Sequence, residues 1–390
     1  MKKNILCSLL LLSILSLGFE SCAQKEQKEE TPKAKNVIYM IGDGMALPQV
    51  FATMLATGED LAFCQFPYTG IVDTRSKSNT ITDSAAGGTA LACDQKTKNG
   101  MVGMDADTVA MPSVLDVLAE HGKSTGIVVT CYAGHATPAD FFAKVPKRSM
   151  YEDIAIQMAE SDKLNVMIGG GRKHFDQRKD SLNLIERMEK ELGWKVYDTL
   201  ADIDTACMKY AVLANRSHMP VYSERGDFLP EGVKTALKTL EKDEDGFFLM
   251  VEGSQIDFAC HGQDSAWMVD ETVDFSNAVQ IALDYAKADG NTLVVVTADH
   301  ETGGLTMIDP QGKYTNIAFN YSTRSHTCLP VMIYAYGPGA EQFTGWMQNN
   351  EVKAKILKAC GIEETEVDTT SVKTTDNIAP VMGNFDSKPD

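Results

Sequence analysis

Five short apolar runs, rich in valine and isoleucine, recur along the chain with helical patterns between them. They occupy residues 36–41, 124–130, 246–251, 291–297 and 330–337. Runs of this length that are apolar throughout are typical of strands buried on both faces. Such strands occur mainly in parallel sheets that helices cover on both sides. The sequence therefore predicts an α/β fold with a mostly parallel central sheet and helices on both faces.

Ionisable side chains follow four of these runs at the point where each run ends. They are Asp43 after the first run, His135 after the second, Glu252, Asp257 and His261 after the third, and Asp299 and His300 after the fourth. The hydroxyl of Thr137 also follows the second run. In open α/β sheets, ligands bind at the carboxyl ends of the strands. With His326 in a later loop, four of the seven histidines belong to this set. We therefore predict a metal site at this edge.

The donor types indicate which metals fit. Mixtures of aspartate and histidine suit zinc, with cobalt, manganese and iron as alternatives. Asp257 and His261 are four residues apart, so they face the same way on a helix. Glu252 and Thr137 offer oxygen only, which suits a hard ion such as Mg²⁺. These side chains are too many for one tetrahedral site, so two or three ions are expected. The chain has no C-x-x-C motif, which argues against a cysteine zinc site.

Ser84 opens the segment "SAAGGTALA", which predicts a helix beginning near this serine. One interpretation is that Asp83 or Ser84 only caps the helix. The other is that Ser84 is a nucleophile, which would need an adjacent base or a metal to activate its hydroxyl. The two roles are compatible, because a helix N-terminus also favours a bound anion.

The charge of the chain limits its partners. The formal net charge is −18 and no basic stripe occurs, so nucleic-acid binding is not expected. If the substrate is an anion, an acidic protein needs concentrated local positive charge to hold it, and metal ions would supply that charge.

The N-terminus is typical of an exported protein. Lys2 and Lys3 precede an apolar stretch that is too short to span a bilayer, which predicts a signal peptide over residues 1–21. Cys22 lies where a bacterial lipoprotein carries its lipid, although Phe19 fits that pattern poorly and an ordinary secretory signal is the alternative. Residues 22–35 then form a polar tether, and residues 361–390 a polar tail. We expect a periplasmic protein or an outer-membrane-anchored lipoprotein.

Seven segments, in order, resemble the metal-dependent alkaline phosphatases. They are "IGDGM", "TDSAAGGTALA" with "KTKNGMVG", "HATPADF", "IGGGRKHF", "VEGSQID", "VTADHETGG" and "SHT" with "YGPGA". The resemblance covers residues 36–360, which are expected to form the catalytic domain. It implies hydrolysis of small phosphate monoesters, with release of inorganic phosphate.

The resemblance also implies roles for individual residues. Ser84 would be the nucleophile that becomes phosphorylated, and Arg148 would bind the phosphate. Asp257, His261 and His326 would hold one zinc ion. Asp43, Asp299 and His300 would hold a second. Asp43 would also bridge to a magnesium ion that takes Thr137 and Glu252.

Two departures from the family pattern bear on these roles. One bacterial branch has aspartate at the position of His135 and lysine at that of Phe258, whereas other branches carry histidine at the first position. The third site here is therefore expected to bind magnesium loosely or to accept zinc, with His135 as an extra ligand or close neighbour. Only residues 301–325 separate His300 from His326, which predicts a small or absent crown insertion. The short insertion weakens any inference of a homodimer, which stays one alternative.

The sequence leaves other functions as alternatives. A phosphodiesterase or sulfatase of the same superfamily is one alternative, although "CLPVM" lacks the arginine of a sulfatase motif. A lipid-anchored protein that binds metal or phosphate without turnover is another. Ser84 discriminates against it, because a pure binding protein would not need a nucleophile.

Overall fold

The computed structural model describes residues 33–204, 206–313 and 316–363. The predicted signal peptide, Cys22, most of the tether and residues 364–390 of the tail lie outside the described residues.

The described residues contain fourteen strands, which are β1 (Asn36–Gly42), β2 (Tyr68–Asp73), β3 (Ser124–Tyr132), β4 (Val166–Gly170), β5 (Lys195–Tyr197), β6 (Tyr210–Leu213), β7 (Phe247–Gly253), β8 (Thr292–Thr297), β9 (Glu301–Thr302), β10 (Leu305–Ile308), β11 (Ala318–Tyr321), β12 (His326–Thr327), β13 (Val331–Tyr336) and β14 (Gly345–Gln348). Ten of them form one sheet, in the order β14-β2-β13-β8-β1-β7-β3-β4-β6-β5. All five predicted strands are present.

The sheet is mostly parallel, as predicted. Parallel pairing runs from β8 through β1, β7, β3, β4 and β6 to β5. β13, the fifth predicted strand, is the exception, because it pairs antiparallel with both β8 and β2. An apolar run buried in a sheet carries no information about its direction, so the sequence could not distinguish this strand from the others.

The register of the central strands gathers the acidic side chains. β1 lies between β7 and β8, and Ile41 is paired with Glu252 on one side and Thr297 on the other. Asp43 and Asp299 each follow two residues after Ile41 and Thr297. The parallel register therefore brings carboxylates from three neighbouring strands to the same edge of the sheet.

Helices flank the sheet. They are α1 (Leu47–Thr57), α2 (Ser84–Cys93), α3 (Val114–Glu120), α4 (Ala136–Ala139), α5 (Tyr151–Glu160), α6 (Lys173–Asp176), α7 (Leu184–Lys190), α8 (Tyr222–Arg225), α9 (Phe228–Leu240), α10 (Gln255–Gly262), α11 (Ser265–Asp289) and α12 (Val352–Ala359). α9 packs on β3, and α11 packs on β7 and β8. β1 is buried along its whole length.

Capping residues set the starts of two helices. α3 begins after Ser113 because Ser113 and Asp116 form a reciprocal capping box. α11 begins at Ser265 because the Asp264 side chain caps it by accepting a hydrogen bond from the Trp267 amide.

The segment between β8 and β13 is small. It contains the antiparallel pair β10–β11 and the short pair β12–β9, in which His326 lies opposite Thr302. The prediction of a small insertion is confirmed. No helix within the described ranges has the length and apolar character needed to cross a bilayer.

Candidate metal and nucleophile site

Three groups of donor side chains lie at the carboxyl edge of the sheet. In each group, the candidate ligand atoms are within 4.8 Å of one another. The groups are cluster 1 (Asp257, His261 and His326), cluster 2 (Asp43, Asp299 and His300) and cluster 3 (Cys131, His135 and Glu252). Clusters 1 and 2 contain the same residues that the sequence resemblance assigns to two zinc ions. Cluster 3 adds a cysteine that the sequence analysis did not include.

Cluster 1 is held in shape by the backbone. α10 places Asp257 and His261 one turn apart, with His261 Nε2 3.3 Å from Asp257 Oδ1. The Nδ1 atoms of His261 and His326 donate to the carbonyls of Arg324 and Thr82, at 2.6 and 2.9 Å. Because a carbonyl only accepts, each Nδ1 carries a hydrogen, so Nε2 is the nitrogen of each ring that is left for a metal ion, which would take the place of any proton there.

The Nε2 atoms of the two rings then face the same point. They lie 3.2 Å apart, and His326 Nε2 is 3.6 Å from Asp257 Oδ1. The hydrogen bond to Asp257 raises the pKa of His261 to about 9. This pocket therefore attracts positive charge, and its two nitrogens and one oxygen fit zinc.

Cluster 2 is fully buried. His300 Nε2 lies 3.2 Å from Asp299 Oδ2 and 3.5 Å from Asp43 Oδ1. Both carboxylate oxygens of Asp43, and Oδ2 of Asp299, have no hydrogen-bond partner among the described atoms. Burial, followed by repulsion from Asp257, raises the pKa of Asp299 to about 7. Buried carboxylates without partners are costly, and a divalent cation would satisfy them.

Cluster 3 also carries unpartnered donors. Glu252 Oε1 and His135 Nδ1 lack hydrogen-bond partners within the described chain, and so does the hydroxyl of Thr137, two residues after His135. Burial raises the pKa of Glu252 to about 7. Cys131 Sγ donates to Glu252 Oε2 over 3.2 Å. These oxygen, nitrogen and sulfur donors could hold a third ion.

Ser84 is the first residue of α2 and faces cluster 2. Its side chain is buried, and Oγ is 3.2 Å from His300 Nε2. Asp83, not Ser84, caps the helix, because its Oδ1 accepts a hydrogen bond from the Ala86 amide. The Ser84 hydroxyl is therefore free of the capping role and points toward the metal donors, at a helix N-terminus that favours an anion.

Arg148 also turns toward this region. Its Nη1 lies 3.2 Å from Asp83 Oδ2, and its Nη2 lies 3.4 Å from His135 Nε2. Asp83 accepts further hydrogen bonds from the Gly100 amide. One carboxylate thus connects the guanidinium to the start of the helix that carries Ser84. A planar guanidinium in this place is suited to two oxygens of a phosphate.

Thr302 connects clusters 1 and 2 and was missed by the sequence analysis. Its buried hydroxyl lies 2.5 Å from Asp257 Oδ1 and 3.2 Å from His300 Nδ1. A hydroxyl has one hydrogen and a carboxylate only accepts, so Thr302 donates to Asp257 and accepts from His300 Nδ1–H. This arrangement leaves the lone pair of His300 on Nε2, the atom that faces Ser84 and cluster 2.

Two of the missed residues had a sequence signal. Cys131 directly follows a predicted strand, as the other donors do, and Thr302 lies two residues after His300. Asp83, which precedes Ser84, was considered only as a helix cap. The structural role of each of these three residues becomes clear only when its neighbours in space are known.

We expect Thr302→Val to weaken metal binding at clusters 1 and 2. The change keeps the side-chain shape but removes the hydroxyl that orients Asp257 and His300. Loss of such an orienting hydrogen bond lowers metal affinity by about 10–100-fold. Metal content per chain, measured after dialysis against buffered zinc solutions, gives the affinity directly. Thr302→Ser is the matched control and should bind as tightly as the wild type; equal affinity for the valine variant would contradict the role of the hydroxyl.

Comparison with known proteins supports a single family. The sequence model described as "Alkaline phosphatase" matches residues 34–321. Alkaline phosphatase 3 of Bacillus subtilis (strain 168) is 31% identical, over 87% of this chain and 92% of that protein. The structure of alkaline phosphatase from the Antarctic bacterium TAB5 superposes with a TM-score of 0.82 at 37% identity, covering 86% of this chain and 100% of that one.

A mutant of the TAB5 enzyme, with a histidine changed to aspartate and Mg bound in a site named M3, superposes equally well, with a TM-score of 0.82 at 37% identity over the same shares of both chains. Sequence and fold agree over most of the chain: it belongs to the alkaline phosphatase family and is a phosphatase.

Proposed function

We propose that this protein hydrolyses small phosphate monoesters through a phosphoserine at Ser84 and releases inorganic phosphate. The observation that carries the proposal is the position of Ser84 Oγ, at the start of α2 and 3.2 Å from His300 Nε2. Among the described residues, the histidine that contacts Ser84 is a candidate metal donor, and its Nδ1 is bonded to the Thr302 hydroxyl where a catalytic triad would have a carboxylate.

The ions proposed are two zinc ions and one magnesium ion. Cluster 1 and cluster 2 would each hold a zinc ion, which matches their mixture of carboxylate and imidazole donors. Asp43, Thr137 and Glu252 would hold magnesium, with His135 beside them, and this site would also accept zinc. The unpartnered buried oxygens of Asp43, Thr137 and Glu252 support an ion there.

When bound, the ions would lower the pKa of the Ser84 hydroxyl and neutralise charge on the phosphate. Ser84 Oγ then forms a bond to phosphorus in line with the ester bond, which breaks, and the alcohol leaves with a proton. Arg148 binds the non-bridging phosphate oxygens and orients them, held in place by Asp83. Water then breaks the phosphoserine bond, which returns a proton to Ser84 and releases phosphate. The α2 N-terminus stabilises the phosphoserine anion.

The alternatives are less well supported. The Bacillus subtilis and TAB5 relatives described above are named alkaline phosphatases, and no feature of the described residues favours a phosphodiesterase or a sulfatase over them. If the protein only bound metal or phosphate, it would not need a nucleophile such as Ser84.

We expect Ser84→Ala to abolish the phosphoserine and to lower turnover of p-nitrophenyl phosphate by several orders of magnitude. Some activity should persist, because activated water can still attack the phosphate directly. Rates with the monoester, the diester and the sulfate, each with and without chelator, test the reaction class. Ser78→Ala, an exposed serine in the preceding loop, is the control. Near-full monoesterase activity of a folded Ser84→Ala protein would rule out the mechanism.

We expect His135→Asp to raise the affinity for magnesium and to make activity depend more on added Mg²⁺. Aspartate offers oxygens, which Mg²⁺ prefers, whereas imidazole suits zinc. The TAB5 mutant with a histidine-to-aspartate change and Mg bound supports this expectation. Metal-stripped wild-type and variant proteins are titrated with Mg²⁺ and with Zn²⁺, and identical magnesium curves would leave His135 without a role in the third site.

Export and lipid anchoring at Cys22 are also proposed, on the basis of the N-terminal sequence. The protein would be periplasmic or anchored to the outer membrane. We expect it to fractionate with membranes and Cys22→Ser to release it into the soluble fraction. Cys7→Ser, in the same segment, is the control. Recovery of all wild-type protein in a soluble periplasmic fraction would argue for an ordinary secretory signal.

A further inference from the structure

We propose that the thiolate of Cys131 is a ligand of the third metal site and that it makes this site selective for zinc over magnesium. The inference rests on the proposed function, because it assumes that cluster 3 holds an ion. Neither the sequence resemblance nor the relatives' names assign a role to this cysteine.

The position of Cys131 is the first observation. It lies near the end of β3 and is fully buried, and its Sγ is within 4.8 Å of donor atoms of His135 and Glu252. The sulfur is 3.2 Å from Glu252 Oε2. It therefore shares the same buried space as the two other donors and lies within reach of an ion bound between them.

The second, independent observation is that buried polar atoms near Cys131 have no hydrogen-bond partner in the described chain. His135 is 7% exposed and Glu252 0%, yet His135 Nδ1 and Glu252 Oε1 have no hydrogen-bond partner among the described atoms. The nearby Thr137 hydroxyl shares this condition. His135 Nδ1 and Glu252 Oε1 are thus two unsatisfied buried atoms beside one thiol, which is costly unless a ligand fills the space between them. A cysteine that only filled the core would be surrounded by apolar side chains.

The chemistry of the donors selects the ion. Magnesium takes oxygen ligands in octahedral geometry and binds sulfur poorly. Zinc takes sulfur, nitrogen and oxygen in tetrahedral sites. Cys131, His135, Glu252 and Thr137 offer one sulfur, one nitrogen and oxygens. Binding replaces the S–H bond of Cys131 with a sulfur–zinc bond and releases one proton to solvent.

A simpler role for Cys131 is hydrogen bonding alone, in which its thiol donates to Glu252 Oε2 or to the Tyr132 carbonyl, each 3.2 Å away. Serine would serve that role as well, because its hydroxyl also donates, but serine would not provide a soft ligand. Cys131→Ser therefore separates the two roles. Cys131→Ala removes both, and Cys64→Ser, at an exposed thiol, is the matched control.

The test uses cobalt as a visible substitute for zinc in the metal-stripped, full-length protein. A cobalt–thiolate bond gives a near-ultraviolet charge-transfer band. We expect this band in the wild type and in Cys64→Ser when the third equivalent of Co²⁺ is bound, and its loss in both Cys131 variants. We also expect Cys131→Ser to need more zinc to displace magnesium. X-ray absorption of the zinc-loaded wild type needs no variant and should detect one sulfur neighbour among the three ions.

Two results would overturn the assignment: an unchanged band in Cys131→Ser, or three bound ions with no sulfur neighbour in the wild type. The outcome is separate from that of the proposed function. Ser84-dependent monoester hydrolysis without a sulfur ligand would remove only the role of Cys131. A sulfur ligand in a protein without monoesterase activity would instead contradict the proposed function.

Discussion

Repulsion among buried carboxylates at one edge of the sheet is the constraint on which the rest of this site depends. Asp43, Glu252, Asp257 and Asp299 are close enough that Asp299, Asp257 and Glu252 all help to raise the pKa of Asp43, after burial itself. Several of their oxygens have no hydrogen-bond partner in the described chain. Burying such a group is unfavourable unless positive charge accompanies it, so the fold favours cations at this edge.

The parallel sheet is what makes this concentration of charge possible. β1 is paired on both sides, and its neighbours end at the same level, so three chain segments deliver carboxylates to one point. The strands themselves are apolar and rigidly packed, which fixes the positions of the donors within the small tolerance that metal coordination demands. A flexible loop carrying the same residues would lack that constraint.

Hydrogen bonds around the donor side chains fix their orientation and the nitrogen of each histidine that carries its hydrogen. Backbone carbonyls fix His261 and His326, and the Thr302 hydroxyl, whose hydrogen goes to Asp257, fixes His300 by accepting from its Nδ1–H. Asp83 links Arg148 to the helix that carries Ser84. Ser84, Arg148 and the candidate metal donors are therefore oriented by hydrogen bonds to neighbouring groups of the fold.

The sequence by itself determined the strand and helix pattern, the set of strand-end donors and the family, because buried apolar runs and motif order are local properties of the chain. It missed the antiparallel direction of β13, which has the same apolar pattern as the parallel strands. Only the tertiary structure brought Cys131 to Glu252 and Thr302 to Asp257, since these pairs are far apart in the chain. A cysteine or threonine is chemically ordinary in sequence, and its role is decided by the groups that folding places within hydrogen-bond distance.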